Sequence, residues 1–255
     1  MKVDFFVAGS QKAGTTALDM YLPLHPGIQM ARRKEPHHFD NEGIDWSRPD
    51  YSALHAEYDV HATGVTRGEA TPIYSFWPLA PERIRSYNPD AKLIVLFRDP
   101  IERAHSHWRM EVSRNAETLS FSEAIRSGRN RLDAALPLSS AWRTYSYVER
   151  GDYAQQVRRL LDTFSSDQLL FLKSEDLALN PNTTLLQISR FLNVSLFPAV
   201  GRLEAHVGIQ TFDPITVDDI GFLRAVYRDS VIEFSSLTGL DVSQWPSVNS
   251  RRPHE

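Results

Sequence analysis

The segment Gly9-Ser10-Gln11-Lys12-Ala13-Gly14-Thr15-Thr16, set directly after the apolar run Val3 to Ala8, constrains the fold more than any other stretch of the chain. A loop that cradles phosphate needs small residues so that backbone N–H groups can converge on phosphate oxygens, and a helix starting just beyond it adds its dipole. Both are supplied here. In the loop of nucleoside triphosphatases the lysine follows the second glycine and reaches the β- and γ-phosphates. Thr15 takes that place in this chain, and the lysine is Lys12, inside the loop. The segment therefore predicts strand, phosphate-binding turn and helix, built for a phosphate-bearing nucleotide other than ATP.

The rest of the chain alternates short apolar runs with capped helical patterns, which predicts an α/β fold: a P-loop-like, mainly parallel central sheet flanked by helices. Leu93 to Phe97 is the clearest buried strand. After it, Asp99 caps a helix with Pro100 at its first position and Glu102 as the reciprocal acid. Ser120 with Glu123, Asn180 before Pro181, and Thr216 with Asp219 mark further helix starts. Tyr153, Val157, Leu160, Leu161 and Phe164 recur at helical spacing as core residues, and Leu169 to Leu172 reads as a strand. The late helix is expected to bury Ile220, Leu223, Val226 and Tyr227. Two poorly periodic stretches, Pro36 to Arg67 and Leu132 to Tyr147, are candidates for a substrate cleft or its lid. A chain of 255 residues fits one large domain, 1–255, with a core over about 3–245 and a flexible tail over 246–255.

Three segments together resemble sulfotransferases that use 3′-phosphoadenosine-5′-phosphosulfate (PAPS). Gln11 to Leu18 is similar to their 5′-phosphosulfate loop. Lys34-Glu35-Pro36-His37-His38-Phe39 is similar to a segment of the heparan-sulfate-type and related bacterial branch. Leu93 to Ser106 resembles the strand, turn and helix that bind the 3′-phosphate. The resemblance implies PAPS as sulfuryl donor and 3′,5′-adenosine bisphosphate as product, with no metal required. It implies Lys12, Ala13, Gly14, Thr15 and Thr16 as the phosphosulfate cradle, Lys12 also stabilising charge on the bridging oxygen. Glu35 is implied as general base, with His37 and His38 as alternative bases or acceptor-binding groups. Arg98 and Ser106 are implied as ligands of the 3′-phosphate, although the same residues also allow an ordinary ion pair of Arg98 with Asp99 or Glu102.

The chain departs from that pattern in two places. Glu69-Ala70-Thr71-Pro72 carries alanine where the family often has lysine, so the missing cation is left to Lys12 alone, to Lys34 or to Arg67. His206 to Phe212 stands roughly where relatives carry a basic, glycine-containing loop.

Composition narrows the remaining classes. A formal charge of −4 argues against an overall preference for nucleic acid, and the lack of cysteine excludes a disulfide framework, a thiolate metal site and thiol nucleophile chemistry. No run approaches transmembrane length and no leader pattern opens the chain, so a soluble, cytoplasmic protein is expected. The acceptor is expected to be a hydroxyl or amine of a glycan, glycolipid or small metabolite. Two other functions stay open on the residues: a nucleotide kinase or hydrolase in which Asp99 holds magnesium, and a noncatalytic nucleotide- or carbohydrate-binding module.

Overall fold

The structure, a computed structural model, describes residues 1–203 and 214–249. Contacts divide the described residues into two compact units, residues 1–97 with 159–203, and residues 98–158 with 214–249. The strands are β1 (Phe5–Gly9), β2 (Ile28–Met30), β3 (Thr66–Ala70), β4 (Lys92–Phe97) and β5 (Leu169–Lys173). The helices, in chain order, are α1 (Thr15–Tyr21), α2 (Ser52–His55), α3 (Ala80–Tyr87), α4 (Pro100–Ser113), α5 (Phe121–Asp133), α6 (Ser140–Thr144), α7 (Tyr153–Thr163), α8 (Ser174–Leu179), α9 (Pro181–Leu192) and α10 (Val217–Thr238). None of them is long and apolar enough to cross a membrane.

The first unit is the expected α/β fold. Its strands pair in the order β2-β3-β1-β4-β5, every pair parallel. A parallel sheet is covered on both faces, which is why β1 is buried at every position and β4 at all but Lys92. Successive side chains alternate between those faces. Phe5 and Val7 join Leu18 of α1, Leu177 of α8 and Leu185 and Ile188 of α9 in one apolar cluster. Phe6 meets the rings of Phe39 and Tyr74 instead. β1 lies at the centre, with β2 and β3 to one side and β4 and β5 to the other. In open parallel sheets ligands bind beyond the carboxyl ends of the strands where the order reverses, here the end of β1.

The second unit is helical, and three of its helices, α4, α5 and α10, start where the capping residues announced. Asp99 accepts from the N–H groups of Ile101 and Glu102, ahead of Pro100 at the first helical position. Ser120 and Glu123 form a reciprocal capping box, and Thr216 accepts from Asp219 N. Three expectations need correction. The Glu102 carboxylate is bound to Arg98, a charged partner, rather than acting as the reciprocal cap. On α10 Leu223 and Tyr227 are buried but Val226 is 46% exposed, because the buried stripe continues through Val231 and Phe234. Pro246 to Asn249, expected as the start of a flexible tail, are fastened: Ser247 N donates to Asp99 Oδ2 at 2.8 Å, and Arg224 donates to the carbonyls of Pro246 and Asn249. His206 to Phe212 and the last six residues, 250–255, lie outside the described residues.

The α10 register gives a direct test. Leu223→Ala should destabilise the chain by about 2–5 kcal/mol, the scale for a truncated core leucine, whereas Val226→Ala should stay within about 0.5 kcal/mol. Denaturant unfolding of the two variants decides it, and equal losses would return Val226 to the core.

Candidate active site

The loop after β1 is shaped by two glycines with separate reasons. A Cβ on Gly9 would lie 2.2 Å from Ser75 Oγ, so the close approach of the Ser75 segment leaves no room for a side chain. Gly14, which caps α1, sits at φ 89°, a conformation that costs other residues strain. Between them the chain turns sharply: Ser10 N donates to Leu96 O at 2.6 Å and Ala13 N to Ser10 O at 3.0 Å. Ala13 is thus held inside the turn, and its N–H, expected in the phosphate cradle, closes the loop on itself instead. Lys12 sits at the crest with φ 72° and is partly buried. Thr15 is buried and Thr16 exposed. Ser10 Oγ is buried without a hydrogen-bond partner, an arrangement that disfavours the site unless a polar ligand completes it.

Glu35 is placed by the sheet. Its N–H donates to the carbonyl of Ala70, the last residue of β3, at 3.0 Å, which ties the segment after β2 to the sheet out of register with the strand pairing. Glu35 and His37 both have positive φ, 57° and 55°, so the chain doubles back around Pro36. This folds three side chains together: His37 Nε2 lies 3.5 Å from Glu35 Oε2, and its Nδ1 lies 2.9 Å from Oδ2 of the fully buried Asp40. Lys34 Nζ is bonded to the other Glu35 oxygen, Oε1. Burial pushes the Glu35 carboxyl up, but hydrogen bonds from His37 and Lys34, with the charges of both, outweigh it and hold the group at about 2. On α1, Asp19 is pushed up by burial and responds to both Lys34 and Glu35, so the helix after the loop lies within electrostatic reach of this segment.

His38 separates from its neighbour. It is buried among the rings of Phe39, Trp46 and Tyr51, its backbone N–H donates to Tyr74 OH, and burial pushes its pKa down. An imidazole packed in that cluster serves the core, which leaves His37 as the histidine beside Glu35.

Two carboxylates went unassigned in the sequence. Asp40 was findable from the spacing Glu35-x-His37-x-x-Asp40, which a turn can gather. Glu69 carries no such signal: it is fully buried on β3, beside Phe6 of β1, and its burial comes from non-local packing. Oε1 accepts from Thr71 Oγ1 at 2.6 Å and Tyr74 OH at 2.7 Å, while Oε2 has no hydrogen-bond partner. Burial pushes the carboxyl up to about 7 against the pull of those two hydroxyls, with Asp40 adding to the rise. Arg67 does not compensate. It stands at the other end of β3, where its N–H donates to Asp4 Oδ2 and its guanidinium to Ala62 O.

In the second unit, Arg98 lies two residues before α4 and Ser106 within it. Arg98 Nε and Nη2 both lie 2.9 Å from Glu102 Oε2, and the Arg98 carbonyl accepts from Tyr153 OH at 2.9 Å. Asp99 is buried, and its two oxygens take the N–H groups of Ile101, Glu102 and Ser247. That engagement as a cap opposes the reading of Asp99 as a magnesium ligand.

Glu69 predicts a pH signature. A carboxyl raised in the folded state contributes stability that is complete below its unfolded pKa and lost as pH rises through the folded one. Between about pH 4.5 and about pH 7 the chain should therefore lose up to about 3 kcal/mol relative to Glu69→Gln, which keeps an acceptor oxygen but cannot ionise. Urea unfolding across that window checks it, and parallel pH profiles would show that Glu69 does not titrate there.

Comparison with known proteins gives a consistent picture. A family profile described as a sulfotransferase domain matches residues 2–214. Heparan sulfate glucosamine 3-O-sulfotransferase 6 of Homo sapiens is 34% identical over 192 residues, covering 74% of this chain and 51% of the relative. Bifunctional heparan sulfate N-deacetylase/N-sulfotransferase 3 of Mus musculus is 28% identical over 274 residues, 91% of this chain and 29% of the relative. The chain thus spans about half, or less, of the length of these two relatives. Among solved structures, a sulfotransferase from Alicyclobacillus acidocaldarius superposes with a TM-score of 0.80 at 29% identity, covering 96% of this chain and 99% of that one.

Proposed function

The chain belongs to the sulfotransferase domain family, and we propose that it moves a sulfuryl group from PAPS to a hydroxyl or amine of a glycan, glycolipid or small metabolite. The observation that carries this reading is the pair of features in the first unit, a glycine-turned loop bearing Lys12 and an ionised carboxylate, Glu35, within electrostatic reach of the helix that follows the loop. One observation supports a phosphosulfate group there: the buried, orphaned Ser10 hydroxyl of the loop is a donor for an anionic oxygen. The donor would supply the sulfuryl group and depart as 3′,5′-adenosine bisphosphate. Arg98 and Ser106 would hold its 3′-phosphate, Arg98 through its planar donors.

The work left to this chain's residues is electrostatic and acid–base. As the bridging oxygen takes on charge, an ammonium held close to it stabilises the transition state more than the ground state, and Lys12 is assigned that task. The acceptor must lose a proton as its bond to sulfur forms, and Glu35 is assigned as base. A carboxylate held at about 2 is always ionised above about pH 3 but is a reluctant proton acceptor. A second reading has His37, between Glu35 and Asp40, receive the proton in its neutral form while Glu35 orients it. His38 has no such role. The chemistry proposed uses no metal ion.

The function is tested by incubating the chain with labelled PAPS and a panel of glycan, phenol and amine acceptors, with mass detection of the added group. Transfer to none of them, alongside magnesium-dependent ATP turnover, would move the chain to the kinase reading. Lys12→Ala should lower the single-turnover rate by more than it lowers affinity for 3′,5′-adenosine bisphosphate, because the charge it stabilises develops mainly during transfer. A loss confined to affinity would make it a binding residue only.

Glu35→Gln should keep nucleotide binding and cut the chemical step by about 10²-fold or more, the general scale for a positioned base. His37→Ala, measured beside it at saturating donor, separates the two readings: if Glu35→Gln transfers at nearly the wild-type rate and His37→Ala does not, the base is His37.

A further inference from the structure

Arg98 is the residue to which the proposed function gives the 3′-phosphate, yet its guanidinium is already engaged by Glu102, in the first turn of the helix that follows it. Two of its nitrogens, Nε and Nη2, lie 2.9 Å from a single oxygen of Glu102. Both backbones are fixed around that contact. The Arg98 carbonyl accepts from the OH of the fully buried Tyr153, and Glu102 N donates to Asp99, whose second oxygen is tied to Ser247 N. The side chains themselves are 36% and 44% exposed, so a ligand can reach them.

An anion already sitting on a phosphate-binding arginine competes with the phosphate. Exposed ion pairs of this kind are weak, whereas a phosphate offers the guanidinium charge-assisted, bidentate bonds, so the phosphate wins at a reduced affinity. The displaced carboxylate has a second resting place. Glu102 lies three residues after the cap Asp99, the spacing from which an acidic side chain reaches back to the capping residue's N–H, and the positive end of a helix favours it there.

We propose that Glu102 is an internal stand-in for the 3′-phosphate: it holds Arg98 until a nucleotide carrying that phosphate displaces it, and so loosens the grip on the spent nucleotide. The inference rests on the assignment of Arg98 to the 3′-phosphate. It acts only on ligands that carry this group. A chain without the stand-in would bind the product more tightly and release it more slowly.

Calorimetry with 3′,5′-adenosine bisphosphate and with AMP, on wild type, Glu102→Gln, Arg98→Ala and the double variant, tests it. Glu102→Gln should tighten the bisphosphate by about 1.5- to fivefold, the range that weak exposed pairs allow, and leave AMP unchanged. With Arg98→Ala already present, Glu102→Gln should have no effect. Unchanged or weaker bisphosphate binding in Glu102→Gln would overturn the proposal, as would equal tightening in the Arg98→Ala background, which would show a general effect of the removed charge. A different result tests the underlying assignment: if wild type does not prefer the bisphosphate to AMP, or Arg98→Ala keeps that preference, Arg98 does not read the 3′-phosphate and the stand-in falls with it. A preference that Arg98→Ala abolishes upholds the assignment whatever Glu102→Gln does.

Discussion

The close packing at the carboxyl end of β1 governs the first unit. Gly9 is pressed between Ser75 and Val95, with a Cβ placed 2.2 Å from one side chain and 3.1 Å from the other. Because the central strand ends where no side chain fits, its backbone comes within bonding distance of β4, and Ser10 N is drawn to Leu96 O. The loop must then reverse within four residues to start α1, which it does through the positive φ of Lys12 and Gly14. The lysine's position at the crest of the loop is a consequence of that packing. A larger residue at Gly9 would displace the Ser75 segment, the strand register and the lysine together.

Local signals were legible in the sequence where a few consecutive residues decide the outcome. The glycine loop, the Asp99-Pro100 helix start and the Ser120–Glu123 box each depend on neighbours within one turn, and each forms where the pattern placed it. What escaped depends on distant partners. Val226 fits a helical stripe as well as Leu223 does, and only the burial of Val231 and Phe234 farther along α10 shows which stripe faces inward. Pro246 to Asn249 look like a tail in sequence because the residue that fastens Ser247 is Asp99, on another element. Adjacent histidines could not be told apart by type: His37 turns to Glu35 and Asp40, and His38 into the aromatic cluster, because the positive φ of Glu35 and His37 sends the two side chains different ways.

The candidate site separates its acidic groups by environment. Glu35 and Glu69 are neighbours through the backbone, since Glu35 N bonds to the carbonyl of the residue after Glu69. They are nevertheless pushed in opposite directions, Glu35 down to about 2 and Glu69 up to about 7. Lys34 and His37 reach Glu35, which keeps a third of its side chain exposed, whereas only neutral hydroxyls bond Glu69. Two carboxyls whose environments drive their pKa values apart can hold one charge and one proton side by side in mildly acidic solution, between about pH 2 and about pH 7. While Glu69 is protonated, the region avoids a second buried negative charge next to Asp40, where only hydroxyls bond it and the His37 charge offsets it weakly.

That arrangement also bears on the cation that Ala70 does not provide. Ala70 is buried in the apolar cluster with Phe5, Val7, Leu18 and Ile94, a setting in which a charged group carries a large desolvation cost. Its side chain has been absorbed into the core, so unless Lys12 suffices alone, a substitute would have to come from a neighbouring segment. Arg67 is excluded by its place at the opposite end of β3, with its guanidinium bonded to Ala62 O. Lys34 is the nearer choice, since the residue after it is hydrogen-bonded to Ala70 itself. Its ammonium is paired with Glu35, however, and one cation cannot be wholly available to two anions. A group that arrives at Lys34 must share it with the carboxylate, and drawing the ammonium away would release part of the hold that keeps Glu35 near 2. Lys34 and Glu35 are in this way one electrostatic unit: an anion that engages Lys34 raises the proton affinity of Glu35.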